Sequence, residues 1–264
     1  MSTAVKLGRL MWTCWKLNLA GAMEFRLSFL LTAGMMLVNN VVWIFFWGLY
    51  FNRFPVVNGW SFADVMMMWA VATTGFGLSA TLFGNSLRIA SLVSSGDLDT
   101  FLAQPKPVLP HVLVSRMSVT AIGDFLFGVL VYLRFGDLSL VGALKFAAAA
   151  LLAMLIYVFF HVLTQSLAFF IGNAEGLGYQ FFITFITFST YPSDIFRGFG
   201  KVLLFTALPA GFISYMPIGF LRGFDAPFMA AALTACAVLT AGGSGLFYAG
   251  LRRYSSGNRI GARM

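Results

Sequence analysis

Long uncharged runs constrain this chain before anything else does. Between Arg26 and Arg53 lie 26 residues without a charge, and between Lys145 and Glu175 lie 29. The intervals Asp64 to Arg88, Lys201 to Arg222 and Asp225 to Arg252 enclose 23, 20 and 26 more, and Glu175 to Asp194 encloses 18. Met117 to Leu133 is apolar apart from Asp124. A helix crosses the hydrocarbon core of a bilayer with about 20 apolar residues, so these runs are seven candidate crossings. Only 10% of the residues are charged, against about a quarter in a soluble domain. That excludes a soluble enzyme, a disordered chain and a disulfide scaffold. The expected fold is an all-α integral membrane protein.

Basic residues set the number of crossings, because they favour the cytoplasmic side. Lys6, Arg9, Lys16 and Arg26 precede the first run, and Arg252, Arg253, Arg259 and Arg263 follow the last. Both ends therefore read as cytoplasmic, and the count is even. The run 202–221 contains Pro209, Pro217, Gly211 and Gly219, and each proline removes a helical hydrogen bond. It reads as a segment that re-enters from outside, covered by protein or lining a water-filled cavity. Six spans remain, at roughly 27–50, 62–84, 117–135, 144–171, 177–191 and 228–250. Residues 27–264 then form one six-helix transmembrane domain, preceded by residues 1–26. In those first residues Lys6, Arg9, Thr13, Lys16 and Glu24 share a helix face, with Leu10, Met11, Trp12, Trp15 and Leu19 over much of the rest. That pattern predicts a basic amphipathic helix in the headgroup layer rather than a signal peptide.

Two connecting segments are unusual. The loop 85–116 is the longest on the inside face. Ser94, Ser95 and Gly96 break one short helix, and Asp97 is placed to cap the next, about Leu98 to Ala103, with Pro105, Pro107 and Pro110 beyond it. It reads either as a docking element for a cytoplasmic partner or as an ordinary hairpin loop. Outside, 192–225 follows Tyr191 and carries Pro192, Phe196, Arg197, Phe199, Lys201, Pro209, Gly211, Phe212, Tyr215 and Pro217. Arg197 and Lys201, four apart, are expected to share a helix face. The segment reads as an exit gate or as an interfacial anchor.

Ionisable and amide groups within spans are functional suspects. Asn39, Asn40, His161 and Gln165 are candidates for a translocation path. The bland reading of His161 is a hydrogen-bonded packing residue. Asp124 is expected to pair with Arg116 or a partner chain. No metal-binding, nucleophilic or GxxxxGK[ST] phosphate-loop pattern occurs. Catalytic, metal and cofactor residues are therefore expected nowhere in this chain.

Three stretches, in this order, resemble the permease subunits of type-2 ABC exporters, and most closely a bacterial subfamily of about 260 residues. They are Gly59-Trp60-Ser61-Phe62-Ala63-Asp64, then Gly96-Asp97-Leu98-Asp99 through Phe101-Leu102-Ala103-Gln104-Pro105, and then Tyr191-Pro192 with Leu208-Pro209-Ala210-Gly211-Phe212. The resemblance implies a multi-pass protein of the bacterial inner membrane with both termini cytoplasmic. It implies a second permease chain and separate ATPase subunits that bind ATP and Mg. It places ATPase coupling at Ser94, Gly96, Asp97, Leu98, Asp99, Phe101 and Leu102. The rival readings are a gradient-driven secondary transporter using Asp124 and His161, an intramembrane enzyme, and a scaffold. No obvious internal repeat supports the first.

Overall fold

A computed structural model describes residues 3–171 and 174–255. The described residues are mostly helical, in keeping with a solvent that cannot satisfy free backbone groups. Helix α1 (Thr3–Ala22) is followed by a turn that holds Glu24, so Glu24 lies off the basic face expected for it. Then come α2 (Arg26–Arg53) and a two-stranded hairpin, β1 (Val56–Val57) and β2 (Trp60–Ser61). Helix α3 (Phe62–Leu82) leads into the loop helices α4 (Ile89–Ser95), α5 (Asp99–Leu102) and α6 (Val108–Val114). Next are α7 (Thr120–Phe135), α8 (Leu140–Gln165), α9 (Ala168–Ile171) and α10 (Glu175–Ser189). The broken segment holds α11 (Phe199–Phe205), α12 (Gly211–Ser214) and a π-helical turn Pro217–Arg222, and α13 (Ala226–Leu251) closes the order.

Four stretches are long and apolar enough to cross a membrane: α2, α3, α8 continued through α9, and α13. Helices α7 and α10 have 16 and 15 residues. Both still run between the same two ends of the bundle. At one end Phe135 meets Phe62 with ring centroids 5.5 Å apart, and Tyr191, just past α10, meets Trp47 at 6.0 Å.

Helix α3 is the axis. Of the residues in its most apolar 18-residue stretch 78% are buried, against 11% in that of α2 and 28% in that of α13. Its small residues admit close neighbours on α7 and α8. A Cβ at Gly77 would collide with the Phe125 backbone of α7 and one at Gly75 with Ala153 of α8, while on α7 a Cβ at Gly123 would collide with the Ala33 carbonyl of α2. The main apolar core runs from Trp47 and Trp69 through Tyr157 and Phe160 to Phe228, and a second core packs the loop helices onto α8 and α13.

The expected broken segment is broken, and protein covers it: Gly211 to Ser214, Met216, Pro217 and Gly219 are buried. Arg197 corrects an expectation. It precedes α11, separated by Gly198 at φ 55°, and so shares no helix face with Lys201.

Substituting Gly123→Val is expected to separate α2 from α7, at a cost of about 1–3 kcal/mol of overpacking. A fall in the temperature at which the detergent-solubilised chain aggregates checks this, and unchanged stability contradicts the packing.

Candidate functional site

At the hairpin end one carboxylate, Asp194, gathers two side chains on its two oxygens. Asn58 and Gly59 both take positive φ, 51° and 83°, the conformation of a tight two-residue hairpin turn. The turn carries Trp60 inward, where its Nε1 donates to Asp194 Oδ2 at 3.0 Å. Lys201 Nζ binds the other oxygen of Asp194 at 2.7 Å. Ser61 and Asp64 form a reciprocal capping box that starts α3, and Arg222 approaches Asp64 at 3.5 Å. The stretch 59–64 thus serves as turn, latch and helix cap in succession. Tyr191 and Pro192 lead into the 3-10 turn Ser193–Ile195 that presents Asp194. Arg197 is exposed and makes no ion pair among the described residues.

Between the two ends, a cavity of about 280 Å³ is lined by residues of α2, α3, α7, α8 and α10 and by Tyr191. Asn39 and Asn40 line it, whereas His161 and Gln165 do not. Asp124 pairs with Asn40, whose Nδ2 donates to Oδ1 at 2.6 Å, and not with Arg116. His161 is buried without a hydrogen-bond partner on either nitrogen. It packs instead among the rings of Tyr157, Phe160, Phe182 and Phe185, so the expected hydrogen-bonded role is corrected to that of an aromatic spacer. Gln165 ties the bundle to the loop, since its Oε1 accepts the Ala90 amide, in the first turn of α4, at 3.1 Å.

That contact belongs to the loop end. Helix α4 stops at Gly96, which takes φ 77°, a conformation glycine adopts without a Cβ penalty. The turn folds back so that the Leu98 amide reaches Leu92 O at 3.2 Å. Leu98 is wholly buried among Ile89, Leu92, Val112, Met154 and their neighbours. It is therefore an anchor and not a docking surface. Asp97 does not cap α5, since Leu98 occupies that position, and the Asp97 carboxylate accepts from Ser95 Oγ at 2.7 Å. The short helix is Asp99–Leu102, narrower than the expected 98–103, and Pro110 lies inside α6 rather than before it. What faces outward is Asp97, Thr100, Leu102 and Ala103, with Leu102 40% exposed.

The rest of this element is braced. Ser94 Oγ donates to Glu175 Oε1, at the start of α10, at 2.5 Å. Asn85 ties α6 through Val112 O at 3.0 Å and Ser115 Oγ at 2.7 Å. From α1, Trp15 Nε1 donates to Leu82 O at 2.8 Å and Asn18 Nδ2 to Val114 O at 3.0 Å. Tyr254, past α13, lies against the Gly96–Asp99 turn. Burial first, then the carboxylates of Asp99 and Asp97, pushes its hydroxyl up to about 12. Phe101 meets His111 edge-on with centroids 5.2 Å apart. Burial, with Lys106 nearby, lowers the His111 imidazole below its usual 6.5.

Sequence reasoning missed Glu175, Tyr254, His111 and Asp194. Glu175, Tyr254 and Asp194 act on partners far away in the chain, and His111 meets Phe101 only because two short helices fold together, so no local spacing announces these pairs.

Two outcomes follow for the loop end. Glu175→Gln is expected to weaken the brace by about 1 kcal/mol, an exposed charge-assisted bond, and to speed amide exchange across 89–103 about fivefold. As pH falls through about 6.5 the unfolded imidazole takes a proton before the buried one does, so loop stability present above that pH is lost below it. Proteolysis of the loop should rise on acidification in the wild type and not in His111→Phe.

The sequence model of the ABC-2 family transporter proteins matches residues 37–257, from within α2 to past the end of α13. Neither a curated protein nor a solved structure matches the chain. The match spans the cavity, the braced loop and the covered broken segment together, and the chain belongs to the ABC-2 transporter family of multi-pass membrane permeases.

Proposed function

We propose that this chain is the membrane-spanning permease subunit of an ATP-driven exporter in a bacterial inner membrane. Two permease chains, identical or paralogous, form the path, and two separate ATPase subunits bind ATP and Mg. Six helices cross, with α7 and α10 completing the four longer ones. Both termini and the loop 85–116 face the cytoplasm, and 192–225 forms the outer gate with Tyr191.

The observation that carries the reading is the construction of the loop end. A small outward face, Asp97, Thr100, Leu102 and Ala103, sits on the buried anchor Leu98. It is tied to α8 by Gln165 and to α10 by Glu175. A rigid tip moves its helices when a partner moves the tip. Nucleotide biases the path only if this contact differs between the ATP-bound and ATP-free partner. At the other end, the Trp60–Asp194–Lys201 latch supplies bonds that an opening gate must break.

The test is purification of the full chain in mild detergent, with measurement of co-eluting nucleotide-binding subunits and ATP hydrolysis. Joint Asp97→Lys and Asp99→Lys substitution is expected to weaken association about tenfold or more, as charge reversal at a docking face does. Transport that survives ATP depletion and collapses with an uncoupler contradicts the reading and favours a gradient-driven carrier.

A further inference from the structure

The cavity between α2, α3, α7, α8 and α10 holds a carboxylate that its own surroundings leave half satisfied. Asp124 is 3% exposed. One oxygen accepts the Asn40 amide, and the other, Oδ2, is buried without a hydrogen-bond partner. No Lys, Arg or His lines the cavity. Among the described residues the ion pairs are Lys201–Asp194 and Arg222–Asp64, both at the hairpin end. A buried carboxylate lacking a counter-charge is strongly disfavoured, and a neutral amide supplies none.

The remaining wall is aromatic. Trp43 and Trp69 stack with centroids 5.2 Å apart, and Phe76 and Phe182 lie 5.8 Å apart. Ring faces attract cations through their quadrupoles, most strongly where water is excluded. A buried carboxylate without a counter-charge and several aromatic side chains around one cavity of about 280 Å³ make a receptor for an ammonium head with a ring-sized apolar body.

We propose that this cavity recognises cargo through a positively charged ammonium group, drawn to the Asp124 carboxylate, with the apolar body against Trp43, Trp69, Phe76 and Phe182. Asn40 is the positioning residue, since its amide fixes the carboxylate through Oδ1. The assignment of this ligand as cargo rests on the exporter reading, whereas the site itself does not.

The test uses the full chain with its ATPase partner in lipid nanodiscs, with empty nanodiscs as the lipid blank. Quenching of tryptophan fluorescence is titrated with benzyltrimethylammonium and with its uncharged carbon isostere, neopentylbenzene. The wild type is expected to bind the cation about tenfold more tightly or better. Asp124→Asn is expected to abolish that preference while leaving the isostere's affinity unchanged. Equal affinities in the wild type overturn the proposal without recourse to any variant. A preference for the neutral compound also overturns it, and points to a protonated Asp124 that donates to uncharged cargo. A preference that persists in Asp124→Asn overturns the role of the carboxylate. ATP hydrolysis in the same nanodiscs separates the two ideas. Charge-selective binding without associated hydrolysis sinks the exporter reading and leaves the site standing. Hydrolysis that depends on the loop tip, without charge selectivity, does the reverse.

Discussion

Everything in this protein hangs on the close packing of α3 against α7 and α8. In lipid, apolar side chains gain little by leaving the solvent, so helices associate through tight van der Waals contact and small residues. Gly77 and Gly75 provide that contact, one against the Phe125 backbone of α7 and the other against Ala153 of α8. With α3 so enclosed, α2 and α13 are left with long exposed apolar faces. Such faces suit lipid, and on the proposed function part of them suits a second permease chain. The same packing closes the walls of the cavity, because Trp69, Ala72, Thr73 and Phe76 are all residues of α3.

The loop end translates this packing into a handle. Leu98 sits at zero exposure in an apolar cluster shared with α8 and α13, so the tip beyond it cannot shift independently of the bundle. Gln165 and Glu175 add polar ties from α8 and α10, and Tyr254 closes the turn from the chain's far end. At the hairpin end the restraint differs in kind. Asp194 gathers Trp60 and Lys201 on its two oxygens, and a few directional bonds are easier to break and remake than an apolar core. On the proposed function, the loop end stays rigid while the hairpin end releases, the asymmetry that a pump driven from one side requires.

The membrane class, the order of helices and the break at 202–221 were legible because each is a local property of composition and spacing. Four of the helices are long apolar stretches, and the prolines and glycines announce the broken segment on their own. Pairings were not legible. Asp124 finds Asn40 instead of Arg116, and His161 lies among rings instead of hydrogen-bonding, because the partners are 84 positions away in one case and on two helices in the other. The loop is instructive in detail. Its helix break at Gly96 could be read from the sequence, but the burial of Leu98 depends on where α8 and α13 stand. A residue that looks like an exposed contact in sequence is then the bolt beneath it.

The central claim is that the tip beyond Leu98 is the surface on which an ATPase acts. Site-specific photo-crosslinking from single positions in the intact cell tests it most directly. A benzophenone side chain at Thr100 or Leu102 should capture a nucleotide-binding subunit, and one at exposed Arg197 of the hairpin end should not. Capture from neither tip position, or equal capture from both ends of the bundle, would contradict the account.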